Sequence, residues 1–413
     1  MYAGALMKIN YDFSNMGRTL ITGGGVNGIT RVIDELSLAM WRESLQDSCI
    51  DLVFSSDFYP QARRTIEKYY LFKGGGVELN RDSALNEFIY YLFVNFKMPF
   101  HKGKKLGSIL SYSDSVSPVD ISLSPFLPVS KKRRDTSKLV FNVIHDIISE
   151  TSPKYFTEDH VLSMRDVYRD IIRNTDYFFA VSSYTKFQLC EYFNIHESRV
   201  FVTPLAISSS FYDVGDSMHY NDIRRKYGIG IGQKYILCIA TIEPRKNIDT
   251  LLKSYISLES ELARNGIKLV VCGSYGWEYS STLELLRSSK ILQENAIFTG
   301  YVLDEDIVAI YSGAMVFCYV PFEEGFGLPP LEAMAAGTAV ICSKTSSLPE
   351  VVGDAAVLVD PLSVDDVSSA ILSLVNDDDY RSSLVLRGLV QSRKFSWQAT
   401  AREMFDVFRN KIE

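Results

Sequence analysis

The sequence lacks the features that define several whole classes of protein. None of its apolar runs reaches the roughly eighteen uncharged residues of a membrane span, and the N-terminal MYAGALMKIN has no basic segment ahead of a long apolar run. Acidic residues outnumber basic ones by 50 to 43, and the net charge of −7 argues against general nucleic-acid binding. We therefore expect a cytosolic protein.

The cysteines follow no pattern of a disulfide framework or a metal site. There are six among 413 residues, with no C-x-x-C and no pairing with histidine. Four of them, Cys238, Cys272, Cys318 and Cys342, lie in apolar runs typical of strands. We expect these cysteines to be reduced core residues.

Short apolar runs alternate with helical patterns along most of the chain, which predicts an α/β protein built from parallel βαβ units. The predicted strands are 8–13, 50–54, 139–144, 177–181, 234–240, 267–272, 296–298, 315–320, 339–342 and 356–359. Residues 60–138 show no clean α/β pattern and are assigned no strand.

The chain is longer than one hydrophobic core usually supports, so two domains are expected. We predict an N-terminal Rossmann-like domain at 1–205 and a C-terminal Rossmann-like domain at 206–395. The second domain begins with a polar linker. The last segment, 396–413, has the apolar face of a helix, formed by Trp397, Met404, Phe405 and Phe408.

A glycine-rich segment, TGGGVNGITR at 22–31, opens a predicted helix. Its glycines at 23, 25 and 28 have the G-x-G-x-x-G spacing of dinucleotide-binding turns, but the predicted strand ends too far upstream, at Phe13. A loop that faces a phosphate from the start of the helix fits the context better. A dinucleotide site and a simple structural turn remain the alternatives.

Two basic segments, 96–105 and 131–134, stand out in an acidic chain. The first, FKMPFHKGKK, follows the aromatic-rich run FIYYLFVNF. Together they suit an anionic lipid surface or a lipid-linked acceptor, and so predict peripheral membrane contact. A solvated loop is the alternative for each of them.

The segment FEEGFGLPPLEAMAAG at 322–337 carries the strongest functional pattern. A glycine turn follows a predicted strand and precedes a helix that has two prolines in its first turn and Gly337 at its end. Free amides at such a helix N-terminus suit a phosphate. Glu324 and Glu332 flank the turn and suit the hydroxyls of a sugar or a ribose. For Glu332, a favourable interaction with the helix dipole is the alternative.

Two further motifs follow predicted strands. In EPRKN, Arg245 and Lys246 would neutralise a leaving diphosphate. A charged surface turn capped by Asn247 is the alternative. In FNVIHDIIS, His145 comes directly after a strand, where a histidine can bind a hydroxyl or shuttle a proton. Without further context a structural role is the more common one for such a histidine.

These motifs, with the landmarks VSSYTKFQL and FTGYVLDED, resemble the GT4 family of retaining glycosyltransferases. The resemblance extends from about residue 139 to the end and is strongest over 234–361. It implies the GT-B fold, in which two Rossmann-like domains face each other across a cleft and a C-terminal helix crosses back toward the N-terminal domain. It also implies that the N-terminal domain, 1–205, binds the acceptor and that the C-terminal domain, 206–395, binds the nucleotide-sugar donor. Four positions depart from the family pattern: Thr241 stands where arginine is frequent, Val320-Pro321 replaces Pro-Ser, and Ala339 replaces proline.

The resemblance also implies a role for each matched residue. In this family the first glutamate of the E-x7-E signature contacts the transferred sugar, the amides after it contact the sugar and the β-phosphate, and the second glutamate binds the ribose. The implied catalytic residues are His145, Arg245, Lys246 and Glu324. The implied donor-binding residues are Gly25, Gly28, Gly273, Tyr301, Val302, Gly325, Phe326, Gly327, Leu328 and Glu332.

The implied reaction moves a hexose from a nucleoside diphosphate to an acceptor hydroxyl with retention of configuration. The EPRKN form indicates GDP-mannose as donor, ahead of UDP-linked hexoses and dTDP-rhamnose. A lipid-linked surface polysaccharide such as O-antigen would suit the basic segments as acceptor, and would bring the protein to the cytoplasmic face of the inner membrane. No cofactor and no metal are expected, since no D-x-D motif lies in a suitable loop. An oxidoreductase that uses the 23–28 loop and a catalytically inactive GT-B scaffold are the alternatives.

Overall fold

Parallel sheets account for the alternating apolar runs. The computed structural model describes residues 6–12, 28–55, 118–213 and 217–412, and these contain two six-stranded sheets in which every pairing is parallel. The first sheet consists of β1 (Met7–Asp12), β2 (Ile50–Ser55), β3 (Val119–Ser124), β4 (Ser137–Ile144), β5 (Tyr177–Ala180) and β6 (Val200–Val202), in the order β2-β1-β3-β4-β5-β6. The second consists of β7 (Tyr235–Ile239), β8 (Lys268–Cys272), β9 (Ala296–Gly300), β10 (Val316–Tyr319), β11 (Ala339–Ser343) and β12 (Ala356–Val359), in the order β12-β11-β10-β7-β8-β9.

Helices connect these strands, and several begin with a capping side chain. Thr157, Ser182, Ser363 and Asp377 each accept a hydrogen bond from an amide in the first turn that follows. In the described residues the α-helices are α1 (Gly28–Ser44), α2 (Lys131–Asp135), α3 (Ile148–Thr151), α4 (Glu158–Asn174), α5 (Ser183–Phe193), α6 (Ser217–Lys226), α7 (Ile248–Ser257), α8 (Glu259–Arg264), α9 (Ser280–Ser288), α10 (Lys290–Asn295), α11 (Ile307–Ser312), α12 (Leu328–Ala335), α13 (Leu348–Val352), α14 (Val364–Asn376), α15 (Asp378–Ser392) and α16 (Trp397–Ile412).

Each strand predicted from the sequence is present, but two strands were missed. The prediction of no strand in 60–138 was wrong for β3, which pairs with both β1 and β4. Its sequence, VDISLS, has no continuous apolar run. A serine is tolerated inside this sheet because the Ser122 hydroxyl is hydrogen-bonded to Ser137 at 2.8 Å and accepts from Asn10 at 3.4 Å. The other missed strand, β6, has only three residues.

The last helix packs on the N-terminal sheet, as the sequence predicted. Phe408 of α16 is fully buried, and its ring meets those of Phe141 and Phe179 edge-on at centroid distances of 4.8 and 5.6 Å. Arg402 Nε donates to Glu43 of α1 at 2.7 Å. At the start of α16, the Thr400 hydroxyl donates to the Pro204 carbonyl at 2.7 Å. The chain therefore crosses between the domains twice, with the two crossings bonded to each other.

The sheet changes between Val202 and Tyr235, and the returning helix begins at Trp397. These positions bracket the predicted linker and the predicted start of the last segment. The exact boundaries at 205 and 395 stay a prediction, because a domain boundary within a connecting segment is defined by which residues each domain needs to fold on its own.

Replacing Phe408 by alanine should lower the free energy of unfolding by about 3–5 kcal/mol, because it leaves a cavity among buried rings. Urea unfolding followed by circular dichroism measures this loss. Phe187→Ala, at a side chain that is 62% exposed, is the control and should change stability by less than about 0.5 kcal/mol. Equal losses in the two variants would contradict the packing of α16 described above.

Candidate active site

The predicted catalytic residues follow the carboxyl ends of strands, where open parallel sheets bind ligands. His145 comes directly after β4, the segment with Arg245 and Lys246 follows β7, and the turn with Glu324 follows β10. Strands β7 and β10 are neighbours in the second sheet. A side chain at Gly325 would collide with the main chain of His145, so the two domains meet at this point.

Glu324 is the centre of a buried charge cluster. Its Oε1 accepts hydrogen bonds from Lys246 Nζ, from Arg245 Nη1 at 3.0 Å and from the Tyr319 hydroxyl at 2.6 Å. Lys246 Nζ also donates to that hydroxyl, at 2.7 Å. Burial would raise the pKa of Glu324, but the two cations and the hydroxyl lower it to about 2. The carboxylate is therefore ionised at neutral pH, and Tyr319 belongs to the site although sequence reasoning did not single it out.

Arg245 also holds the main chain of the turn. Its Nη1 donates to the Glu323 carbonyl at 3.0 Å, and its Nη2 donates to the Glu243 carboxylate at 3.0 Å. Burial works to lower the pKa of Arg245, but Glu324 and Glu243 raise it above its ordinary value. Arg245 is thus a charged link between the β7 end and the turn. Glu243, its second partner, was also missed, although it is the first residue of the EPRKN motif.

A row of hydroxyl side chains that begins with the last residue of β11 binds the main chain of the same turn. Three donate to its carbonyl oxygens, and a fourth accepts a hydrogen bond from an amide. The pairs are Ser343 with the carbonyl of Pro321, Thr345 with that of Phe322, Ser347 with those of Glu324 and Phe326, and Ser346 with the amide of Glu324. The sequence signal for this row is SKTSS directly after a buried strand, beside a turn whose polar groups need partners.

Amides at the start of α12 remain available to a ligand. Those of Gly325, Phe326 and Gly327 have no acceptor among the described residues, and such amides at a helix N-terminus attract an anion. Gly327 has a φ of 113°, which favours glycine. The Phe326 ring packs edge-on against Phe395 at 5.7 Å, so this residue can offer a ligand only its main chain. Leu328 is the first residue of the helix and is half-buried.

His145 presents an acceptor nitrogen. Its Nε2 lies 2.8 Å from the Pro125 carbonyl oxygen, which can only accept, so Nε2 carries the hydrogen and Nδ1 of the neutral ring is an acceptor. Burial lowers the pKa of His145 below its ordinary value and so favours that neutral form. A sugar hydroxyl is a suitable donor to Nδ1.

Gly325 is where the N-terminal domain reaches the turn. Its carbonyl accepts hydrogen bonds from the hydroxyls of Ser182 at 2.6 Å and Thr185 at 3.0 Å. A Cβ atom at this position would lie 1.9 Å from the His145 carbonyl oxygen. The close approach of the domains therefore requires glycine here.

The second glutamate, Glu332, is 4% exposed and already has two partners. The Tyr311 hydroxyl donates to its Oε2 at 2.9 Å, and Arg31 Nη2 lies 3.0 Å from its Oε1. Arg31 was not among the predicted site residues, although it is the last residue of the glycine-rich segment 22–31. Nearby, in the loop after β9, Tyr301 is 48% exposed and Val302 is buried.

The predicted glycines differ in what the structure says about them. Gly28 is the first residue of α1, and Gly25 lies outside the described residues. A Cβ atom on Gly273 would lie 1.9 Å from the Ala240 carbonyl oxygen. The close packing of the ends of β7 and β8 therefore explains why glycine is needed at 273, whether or not a donor binds there.

The basic segment 131–134 is less accessible than predicted. Arg133 is buried and donates to Asn10 Oδ1 at 3.3 Å, and Arg134 pairs with Asp176 at 3.0 Å. Only Lys131 and Lys132 of this segment are exposed, because the arginines anchor α2 to the sheet. The segment 96–105 lies outside the described residues. Among the helices that are described, none is both long enough and apolar enough to cross a membrane.

Comparison with known proteins identifies the family. Residues 220–388 match the family described as Glycosyl transferases group 1. The O-antigen chain mannosyltransferase B of Escherichia coli is 36% identical over 266 residues, which cover 64% of this chain and 68% of that protein. The chain belongs to the group 1 glycosyltransferases.

Two further similarities agree with this assignment. The serotype-specific mannosyltransferase WbdA of Escherichia coli is 30% identical to this glycosyltransferase over 275 residues, 66% of this chain but only 33% of WbdA. The crystal structure of a glycosyltransferase from Rickettsia africae ESF-5 matches 99% of both chains with a TM-score of 0.66 at 14% identity. The GT-B fold and the glycosyltransferase class are thus confirmed, and the oxidoreductase alternative is wrong.

Replacing Gly325 by alanine should lower the free energy of unfolding by about 1–3 kcal/mol, because the methyl group overlaps the His145 carbonyl and forces the domains apart. Urea unfolding measures the effect. Gly230→Ala is the matched control, since its nearest neighbour to a new Cβ lies at 3.8 Å. If both variants were equally stable, the close contact at Gly325 would be wrong.

The pKa of Glu324, lowered from 4.5 to about 2, predicts a pH-dependent contribution to stability. The unfolded carboxylate binds its proton first as the pH falls, so the contribution is complete above pH 4.5 and is lost toward pH 2. The difference in free energy of unfolding between the wild type and Glu324→Gln should therefore shrink as the pH is lowered through this range. Glu284→Gln, at an exposed glutamate of α9, controls for the loss of one charge. A difference that is constant with pH would contradict the prediction.

Proposed function

We propose that this glycosyltransferase transfers mannose from GDP-mannose to a hydroxyl of a growing, lipid-linked O-antigen chain, with retention and without a metal. The observation that carries the proposal is the position of Glu324, held by Lys246 and Arg245 next to the free amides at the start of α12. The carboxylate can accept hydrogen bonds from a sugar, and the cations and amides can bind the diphosphate attached to that sugar.

In the proposed reaction, the bond between the sugar C1 and the diphosphate oxygen breaks as the acceptor oxygen bonds to C1 from the same face. The acceptor proton passes to the leaving phosphate oxygen, so no separate base is needed. Lys246, Arg245 and the amides of Gly325 to Leu328 stabilise the charge that develops on the diphosphate. Glu324 stabilises the positive charge on the sugar, and His145 Nδ1 accepts a hydrogen bond from a sugar hydroxyl.

The choice of donor and acceptor has two supports. The EPRKN form is similar to that of many GT4 mannosyltransferases, and the Escherichia coli relative at 36% identity is named for mannose and O-antigen. The nucleoside would lie beside Glu332 and the Tyr301 loop. A lipid-linked acceptor would bring the protein to the inner membrane, with 96–105 and the exposed Lys131 and Lys132 as its contacts.

The direct test is transfer to lipid-linked O-antigen acceptor with GDP-mannose, UDP-glucose, UDP-galactose and dTDP-rhamnose, with and without EDTA. We expect turnover with GDP-mannose, unchanged by EDTA, and a product whose anomeric configuration by NMR matches the donor. Lys246→Met should reduce kcat by roughly 100-fold or more, because it removes a cation from the leaving group.

Lys253→Met is the matched control, because this lysine lies exposed on the next helix, α7. Turnover with a UDP-linked hexose alone would overturn the assignment of GDP-mannose as the donor. Nucleotide binding without any turnover would instead indicate the inactive scaffold.

A further inference from the structure

An ion pair between Arg31 and Glu332 joins the two domains. Arg31 lies in the first turns of α1, and Glu332 lies in α12. The Arg31 Nη2 to Glu332 Oε1 distance is 3.0 Å, and the two side chains are 33% and 6% exposed. Since Oε2 accepts from Tyr311, protein groups engage both oxygens of the carboxylate without a ligand.

Arg31 has a second acidic neighbour in the same region. Its Nη1 lies 4.0 Å from Asp304 Oδ1, in the loop that begins with Tyr301. Glu332 raises the pKa of Arg31, and Asp304 adds to this, while burial opposes it. The guanidinium therefore stands between the two parts of the proposed nucleoside site, the ribose carboxylate and the base loop.

We propose that Arg31 is a competitor of the nucleoside: in the free protein it occupies the Glu332 carboxylate that the nucleoside would bind. The inference rests on the proposed function, in which Glu332 accepts hydrogen bonds from the ribose hydroxyls. When the donor enters, those hydroxyls replace Arg31 at Oε1, and Asp304 keeps the guanidinium nearby.

A buried carboxylate requires partners in every state of the protein, because an unpaired buried charge is strongly unfavourable. Arg31 meets that requirement in the free protein, and the ribose meets it in the complex. Part of the ribose interaction is therefore offset by the loss of Arg31, so removal of Arg31 strengthens nucleoside binding. The same exchange releases one link between the domains, which couples donor binding to domain movement.

The experiment compares the wild type with Arg31→Met by isothermal titration calorimetry. The probes are the best-bound of GDP, UDP and dTDP, and inorganic pyrophosphate, which has no ribose. The Kd for the nucleoside diphosphate should fall about five- to tenfold in the variant. The Kd for pyrophosphate should stay unchanged, and in turnover the gain should appear in the KM for the sugar nucleotide.

Three variants serve as controls. Arg31→Lys keeps a cation and should bind the nucleotide with nearly the wild-type Kd. Arg225→Met removes an exposed arginine that pairs with Asp222 on its own helix, and should change neither Kd. In a Glu332→Gln background, the Arg31→Met substitution should give no gain, because the carboxylate that Arg31 and the ribose share is absent.

The remaining outcomes overturn the inference in distinct ways. Weaker nucleotide binding by Arg31→Met would show that Arg31 contacts the donor or orients Glu332 toward it. Equal changes for nucleotide and pyrophosphate would show a general effect on the cleft. A wild type that binds nucleotide, with no gain in the variant, overturns this inference alone, whereas a wild type that binds no nucleoside diphosphate overturns the proposed function as well.

Discussion

One ionised carboxylate, Glu324, imposes the arrangement of the site. A buried charge must be met by opposite charge and hydrogen-bond donors, and its side chain is only 12% exposed. Lys246 and Arg245 supply both from the end of β7, the strand adjacent to β10. Strand order thus brings the cations to the carboxylate, and the turn that carries it is fixed as a consequence. The free amides of Gly325 to Gly327 and the contact with His145 follow from the position of that turn.

The charges of this cluster limit how it can act. Two cations, Lys246 and Arg245, face two carboxylates, Glu324 and Glu243, so the group is balanced without a ligand. Arg245 is bound to both carboxylates and to a main-chain carbonyl, whereas Lys246 is bound to one carboxylate and one hydroxyl. Of the two, Lys246 has fewer bonds to exchange on moving toward a leaving group.

The sequence alone correctly predicted the features that depend on residues close together in the chain. Apolar runs located the strands that consist of apolar residues, and glycine, proline and charge at strand ends located the turn of Glu324 and the EPRKN segment. It failed for β3, whose Ser122 is hydrogen-bonded to both neighbouring strands. It also missed Tyr319, the SKTSS row and Arg31, because each contacts a segment that is not its neighbour in the chain, such as Lys246 for Tyr319, and no spacing rule encodes such contacts.

The double crossing of the chain has a mechanical consequence. A domain joined by a single linker can rotate in any direction and can also be displaced. Here the segment after β6 and the start of α16 lie side by side, bonded through Thr400 and Pro204, and α16 is anchored in the N-terminal core. These two adjacent connections act as a hinge. The relative motion that they allow is a rotation of one domain about that hinge, which widens or narrows the cleft and keeps the carboxyl ends of the two sheets facing each other.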